Sequence, residues 1–358
     1  MTDWRRPFRA SYRFMRVDRR TGRETARLDR MAPGGSIERN QDKTIKEGGS
    51  LRCVGPLDLG PDLLRVYLDA AFDDGSRATE PLGTFLVRAD SRSTDGVAGE
   101  TAVELLGRLA ELDQSCFGRA FTVPVGTDLV ARAAEVVEGA GLMCVAESST
   151  YRSKSPLYYG IVAGEERESA DGSKLTVVND LLQRAGFASA WTDAMGVVHL
   201  TKYLEPSERP TAMEMVEGRD ARFTPDVTDE TDTSKVANIV YAVYKHDKST
   251  VVGTARDDDP KSPWSTVSMG REIASRADCS EQATQSQADA KAAELLRSSR
   301  ALKRHVRLKH VYAPLWIGDA VRVDYPSGEV AGKMGVRTMR LSLEEACPMD
   351  LELTSYVR

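Results

Sequence analysis

The chain has 358 residues, of which 41% are hydrophobic and 29% charged, with a formal net charge of −5 and an isoelectric point near 5.6. That length is more than one core usually supports, so two or three domains are expected, and the acidic balance argues against general affinity for nucleic acid. No apolar run approaches the roughly 20 residues that span a bilayer. The opening MTDWRRPFRASYRF lacks the apolar stretch of a secretory signal, so synthesis in the cytosol is expected. Five widely spaced cysteines (Cys53, Cys116, Cys144, Cys279, Cys347) contain no C-x-x-C, and the four histidines (His199, His246, His305, His310) form no ligand pair. Buried free thiols are expected, not a disulfide framework or a zinc site.

Residues 1 to 35 hold ten arginines (Arg5, Arg6, Arg9, Arg13, Arg16, Arg19, Arg20, Arg23, Arg27 and Arg30) against Asp3, Asp18, Glu24 and Asp29. YRFMRV and ETARLDRM alternate about a turn at Thr21-Gly22, which predicts a hairpin with a solvated basic face. The sharper alternative is a basic surface that docks an acidic partner or contacts phosphates. From 36 to 93, SIERN, LRCVGPL, LLRVYLDAAF and PLGTFLVRADSR read as antiparallel strands separated by turns such as Asp73-Asp74-Gly75. In PLGTFLV, Gly83 suits a bulge or a close approach.

Residues 98 to 114 then carry Val103, Leu106, Leu109 and Leu112 at helical spacing, which predicts a helix. Thr127-Asp128 can cap a second helix that leaves through Gly139 or Gly141. The stretch 145–172 is polar and rich in turns, a loop with one strand at most. In 173–206, Ser173 caps a helix bearing Leu175, Val178, Leu182 and Ala185, and Gly186 takes the C′ position. The period then changes to alternation about a turn at Asp193-Ala194-Met195-Gly196, with Val198, Leu200 and Tyr203 beyond it. Cap, stripe and Ala-Gly exit occur in both helices.

From 211 the character returns to β. Val236–Tyr244 is apolar on both faces, as a central or interface strand should be. GTARDDDPKSPWSTVSMGR is loop in composition. Ser280 is placed to cap a long helix ending in RALKR, whose acidic start and basic end complement the helix dipole. WIGDAVRVDY, GVRTMRLSLEEA and MDLELTSYV read as three closing strands.

No G-x-S-x-G, Cys/His constellation or phosphate-cradling glycine loop is present. The run Asp257-Asp258-Asp259 lacks the alternating spacing and distal Glu of a calcium loop and reads as a solvated turn. No catalytic, cofactor-binding or metal-ligating residue is therefore assigned, and the protein is expected not to be an enzyme.

Several of these segments resemble the tail hub, or baseplate hub, proteins of tailed bacteriophages and related injection machines. The likeness is carried by LL-x-x-A-G-F (181–187), the D-x-x-G turn (193–196), Y-x-x-P (203–206), S-x-x-R-N (36–40), P-L-G-T-F-L-V (81–87), F-T-V-P-V-G-T (121–127) and G-D-x-V-x-V (318–323). The Arg-rich start and the 145–172 loop have no counterpart in the family pattern. The resemblance implies an α+β, β-rich chain of two tube-type antiparallel barrels flanking an α/β middle region. In it, 1–97 is the first β domain, 98–210 the middle, and 211–358 the second β domain with a helix near 281–303. It further implies a homotrimeric ring adapting a hexameric tail tube to a central spike or fibre, in the virion tail tip. Partners would be a tail-tube or distal-tail protein, a tape measure protein and a spike or fibre protein, with phage DNA crossing the lumen without sequence-specific contact. Readings from other classes are a receptor-binding adhesin and a cell-wall hydrolase of the tail tip.

Overall fold

The structure is a computed structural model that describes residues 3–93, 99–160, 172–219, 221–224, 228–231, 236–246, 249–279, 284–299 and 302–357. It divides into two units, one of Met1–Asp226 with Leu308–Glu352 and one of Val227–Arg307 with Leu353–Arg358.

The first unit begins with β1 (Phe8–Val17) and β2 (Glu24–Arg27), the expected hairpin, whose turn is held by Asp18 accepting from the backbone of Arg20 and Thr21. β3 (Ser36–Asn40), β4 (Glu47–Val54), β5 (Leu63–Phe72), β6 (Arg77–Ser93) and β7 (Glu100–Gly107) follow. Alternation explains them: in β5, Leu64, Val66, Leu68 and Ala70 are buried, while Ala71 is exposed and Tyr67 and Asp69 lie part-way out. β7 corrects the helix predicted over 98–114. Thr101, Val103 and Leu105 point inward at period two, and only α1 (Ala110–Asp113) is helical. The apolar residues of this stretch satisfy both periods, and pairing with β4 and β6 on either side decides for the strand.

The chain then builds a lobe from β8 (Phe121–Val123), α2 (Leu129–Gly139), β9 (Cys144–Ala146), β10 (Leu157–Tyr159), α3 (Lys174–Arg184), β11 (Trp191–Thr192) and β12 (Val198–Leu200). Asp128 caps α2 by accepting from Val130 and Ala131, and Ser173 caps α3 by accepting from Thr176. Gly141 (φ +82°) and Gly186 (φ +74°) take the left-handed exits. The repeated helix grammar has a structural counterpart. α2 and α3 share one core (Leu129, Ala133, Val137, Leu175, Val178, Leu182), and the strands after them, β9 and β12, pair in parallel. Burial of each such leucine contributes about 1.5–3 kcal/mol. The part of the 145–172 loop between 161 and 171 lies outside the described residues. β13 (Thr211–Val216) follows the lobe.

The second unit contains β14 (Thr228–Thr231), β15 (Ile239–His246), β16 (Ser249–Arg256), α4 (Thr266–Met269), β17 (Ala274–Cys279), α5 (Gln285–Ser299) and the start of β18 (Leu302–His310). β15 is the expected central strand, antiparallel to β16 and parallel to β17. α5 crosses β16 so closely that a Cβ on Gly253 would stand 2.0 Å from the Ala288 carbonyl carbon. The long helix was expected near 281–303. It is described over Gln285–Ser299, and Leu302–His310 is strand, with Val306 and Leu308 alternating inward. The proposed Ser280 cap lies outside the described residues. Asp257 is not part of a solvated turn. It is buried and accepts from Ser262 Oγ at 2.7 Å and from the Asp259 backbone.

The first unit also holds β19 (Ala320–Tyr325), a 3-10 turn at Pro326–Gly328, β20 (Val330–Ser342) and the start of β21 (Met349–Val357), which are the three strands expected. The main sheet of that unit runs β2-β1-β5-β6-β7-β4-β3-β20-β21, with β19 on β20 and β13 parallel to β19. The chain is α+β and β-rich, and among the described residues no closed barrel is formed.

Candidate functional site: a buried polar joint

The main sheet meets the α/β lobe at a patch of buried charge. Its geometry starts with a bulge in β6. Val66 pairs with Gly83 and Tyr67 with Pro81, so Leu82 is the extra residue and its carbonyl leaves the ladder. Gly83 is required there because the Phe85 ring folds back over it, with ring carbon Cζ 2.4 Å from where a Cβ would sit. Arg39 of β3, only 2% exposed, donates Nη2 to that free carbonyl and lays its guanidinium 3.6 Å from the centre of the Trp316 ring. A desolvated cation–π contact of this kind contributes about 2 kcal/mol.

Thr84, two residues beyond the bulge, carries the joint into the lobe. Its hydroxyl accepts from Arg65 Nε at 2.8 Å and donates to the Ala194 carbonyl at 2.9 Å. Arg65 also reaches the Met195 carbonyl at 3.3 Å, and Arg108 Nη1 reaches that of Gly196 at 3.4 Å. The 193–196 turn is thus held by its main-chain carbonyls. Asp193 shapes it by accepting from the backbone of Met195 and Val197, while its other oxygen lies 2.9 Å from His199 Nε2. Gly196 (φ +81°) packs against Arg108, whose Cδ would lie 2.6 Å from an added Cβ. Beside it, Glu111 is buried between Arg108 (2.9 Å) and Arg19 (2.6 Å), and Lys46 Nζ donates to the Gln41 carbonyl and Ser189 Oγ.

One member of the joint has no such partner. Glu47 starts β4 directly opposite Arg39 across the ladder and is 4% exposed. Neither of its carboxyl oxygens has a hydrogen bond of normal geometry; the nearby buried Thr192 hydroxyl is the one group placed to donate to it, and it favours the charged form. Burial raises its pKa to about 7, against the pull of the Arg39 charge.

Apart from Arg19, the paired arginines of the first segment lie elsewhere. Arg6 bonds Asp73 and Asp74, and Arg9, Arg13, Arg16 and Arg27 pair with Glu345, Asp69, Asp62 and Asp29. The expected solvated basic face is largely neutralised by carboxylates of the same chain. The five cysteines are free, with Cys53 and Cys347 buried and Cys116 exposed, and His199 is packed on Trp191 with ring centroids 4.5 Å apart. Among the described residues no three His, Cys, Asp or Glu side chains are grouped to hold a metal.

Sequence reasoning missed Arg39, Glu47, Arg65 and Arg108. The available signal was a charge in phase with apolar neighbours, as Arg65 is in LLRVYL. The structure also brings together segments that the sequence leaves unconnected. Arg39 of SIERN, Leu82 and Thr84 of PLGTF, Ala194 of the D-x-x-G turn and Trp316 before Gly318-Asp319 form one continuous network.

No protein-family profile matches the chain, and no curated protein does. Solved structures do. A tail protein from Neisseria meningitidis aligns with a TM-score of 0.67 at 13% identity over 96% of each chain. The 43 kDa tail protein of prophage MuSo2 from Shewanella oneidensis aligns with 0.63 at 12% identity, over 97% of this chain and 98% of that one. Prophage tail protein gp18 from Listeria monocytogenes aligns with 0.51 at 11% identity, over 96% and 94%. Over 96–97% of its length, this chain has the fold of phage and prophage tail proteins.

Proposed function

We propose that this protein is a structural tail hub: a component of a phage or phage-like tail tip that forms a trimeric ring, adapts a hexameric tube to a central spike or fibre, and lets DNA pass. The single observation that carries the reading is fold likeness over nearly the whole length of two tail proteins. In this reading the two β-rich regions act as tube-type barrels completed in the assembly. A duplicated β domain lets a three-fold object present a pseudo-six-fold face to the tube. Neighbours would be a tube or distal-tail protein on one side and a tape measure, spike or fibre protein at the centre.

The charge pattern supports this role. A wall past which DNA moves should not hold phosphates, because each lysine or arginine contact that releases counterions adds affinity. Arg6, Arg9, Arg13 and Arg16 of the first segment are matched by the chain's own carboxylates, which weakens the most obvious phosphate-binding surface.

Mass in solution tests the reading. Light scattering after size exclusion at several concentrations, with negative-stain images, is expected to show a trimer or a ring with a central hole in the presence of the tube protein. A monomer that neither assembles alone nor binds tube, fibre or tape measure protein would overturn it.

A further inference from the structure

The carboxyl of Glu47 is the one buried charge-bearing group in the joint that the docking network does not use. Arg39 faces it in register, yet its guanidinium goes to the Leu82 carbonyl, the Met339 sulfur and the Trp316 face. From the next strand Gly107 closes over Glu47, with its missing Cβ only 2.9 Å from that of Glu47. From the lobe, the buried Thr192 hydroxyl stands beside it and gives the charged form its only polar support on that side, yet neither carboxyl oxygen has a hydrogen bond of normal geometry. A neutral acid tolerates that enclosure. A carboxylate does not, because a buried charge without hydrogen bonds must be repacked or hydrated.

We propose that the joint is a proton-operated latch: with Glu47 neutral the hairpin β11–β12 stays seated on the sheet, and with Glu47 ionised the hairpin loosens to admit water. The trigger faces a short list of other charged groups. Arg39 on β3 favours the charged form, and Asp193 on the lobe turn opposes it. His199 on β12 acts through its contact with Asp193, and the Lys46 ammonium is directed away, to Gln41 and Ser189. Burial places the transition near neutral pH. The sign follows: a carboxyl whose folded pKa is raised stabilises the seated state fully below its unfolded value. It loses that contribution as pH rises through about 7.

Hydrogen–deuterium exchange of the full chain from pH 5 to 9, corrected for the intrinsic rate, tests this on the amides of 191–200. Wild type is expected to lose about tenfold protection there between pH 6 and 8, while amides of α2 keep theirs. Glu47→Gln and Glu47→Met, both permanently neutral, are expected to remain protected throughout, and His199→Gln to keep the wild-type step. A step that persists in both Glu47 variants, or that vanishes in His199→Gln, overturns the proposal. So does failure of both neutral variants to fold. These outcomes are independent of whether the protein forms a ring.

Discussion

Arginine serves two different purposes in this molecule, and the contrast between the first hairpin and the joint separates them. On the hairpin, Arg6, Arg9, Arg13 and Arg16 meet carboxylates at or near the surface; the Arg9 and Glu345 side chains are 81% and 73% exposed. Such pairs cost side-chain entropy, are screened by salt, and contribute little. In the joint, Arg39, Arg65 and Arg108 are nearly inaccessible and reach main-chain carbonyls that have left the ladder or sit in a tight turn. A guanidinium has five donors in a fixed fork, so it can gather several carbonyls at once where lysine could not. The first set adjusts charge, and the second fixes geometry.

The sharpest break of that contrast is Glu111→Gln. It leaves Arg108 buried without its counter-charge, and urea denaturation should show a loss of about 3–5 kcal/mol. Thr84→Val is next: it removes the donor to Ala194 and the acceptor for Arg65 together, for about 1–3 kcal/mol by the same measurement. Gly196→Ala forces a side chain into left-handed backbone against Arg108, at a cost of about 1–2 kcal/mol and with lower exchange protection of the turn. At the small end, Arg9→Ala should leave the unfolding midpoint unchanged at physiological salt. If Arg9→Ala proved as damaging as Glu111→Gln, the distinction between the two sets would fail.

Strands and capped helices with unambiguous periods were legible in the sequence. Ser173 and Asp128 cap where their side chains allow, and β5 alternates as written. Residues 100–107 were not legible, because Val103, Leu105 and Leu106 fit either period and the choice rests with pairing to β6 before it in the chain and to β4 about 50 residues away. The joint was half visible. Its glycines and its D-x-x-G turn stood out as local features, but nothing local says that Thr84 will bond Ala194, 110 residues on. The buried arginines were hidden for a related reason: an arginine in a strand is ordinarily an outward residue, and only the bulge at Leu82 gives Arg39 a carbonyl to seek.

In the second unit, Gly253 meets the backbone of Ala288 with no side chain between them. A helix resting on side chains can slide by repacking them, but here main chain bears on main chain. The contact works like a dowel, fixing α5 both along and across β16. A load applied to that helix passes straight into the strand without a compliant layer. Any larger residue at 253 would lift the helix and place a spring where the molecule now has a rigid strut.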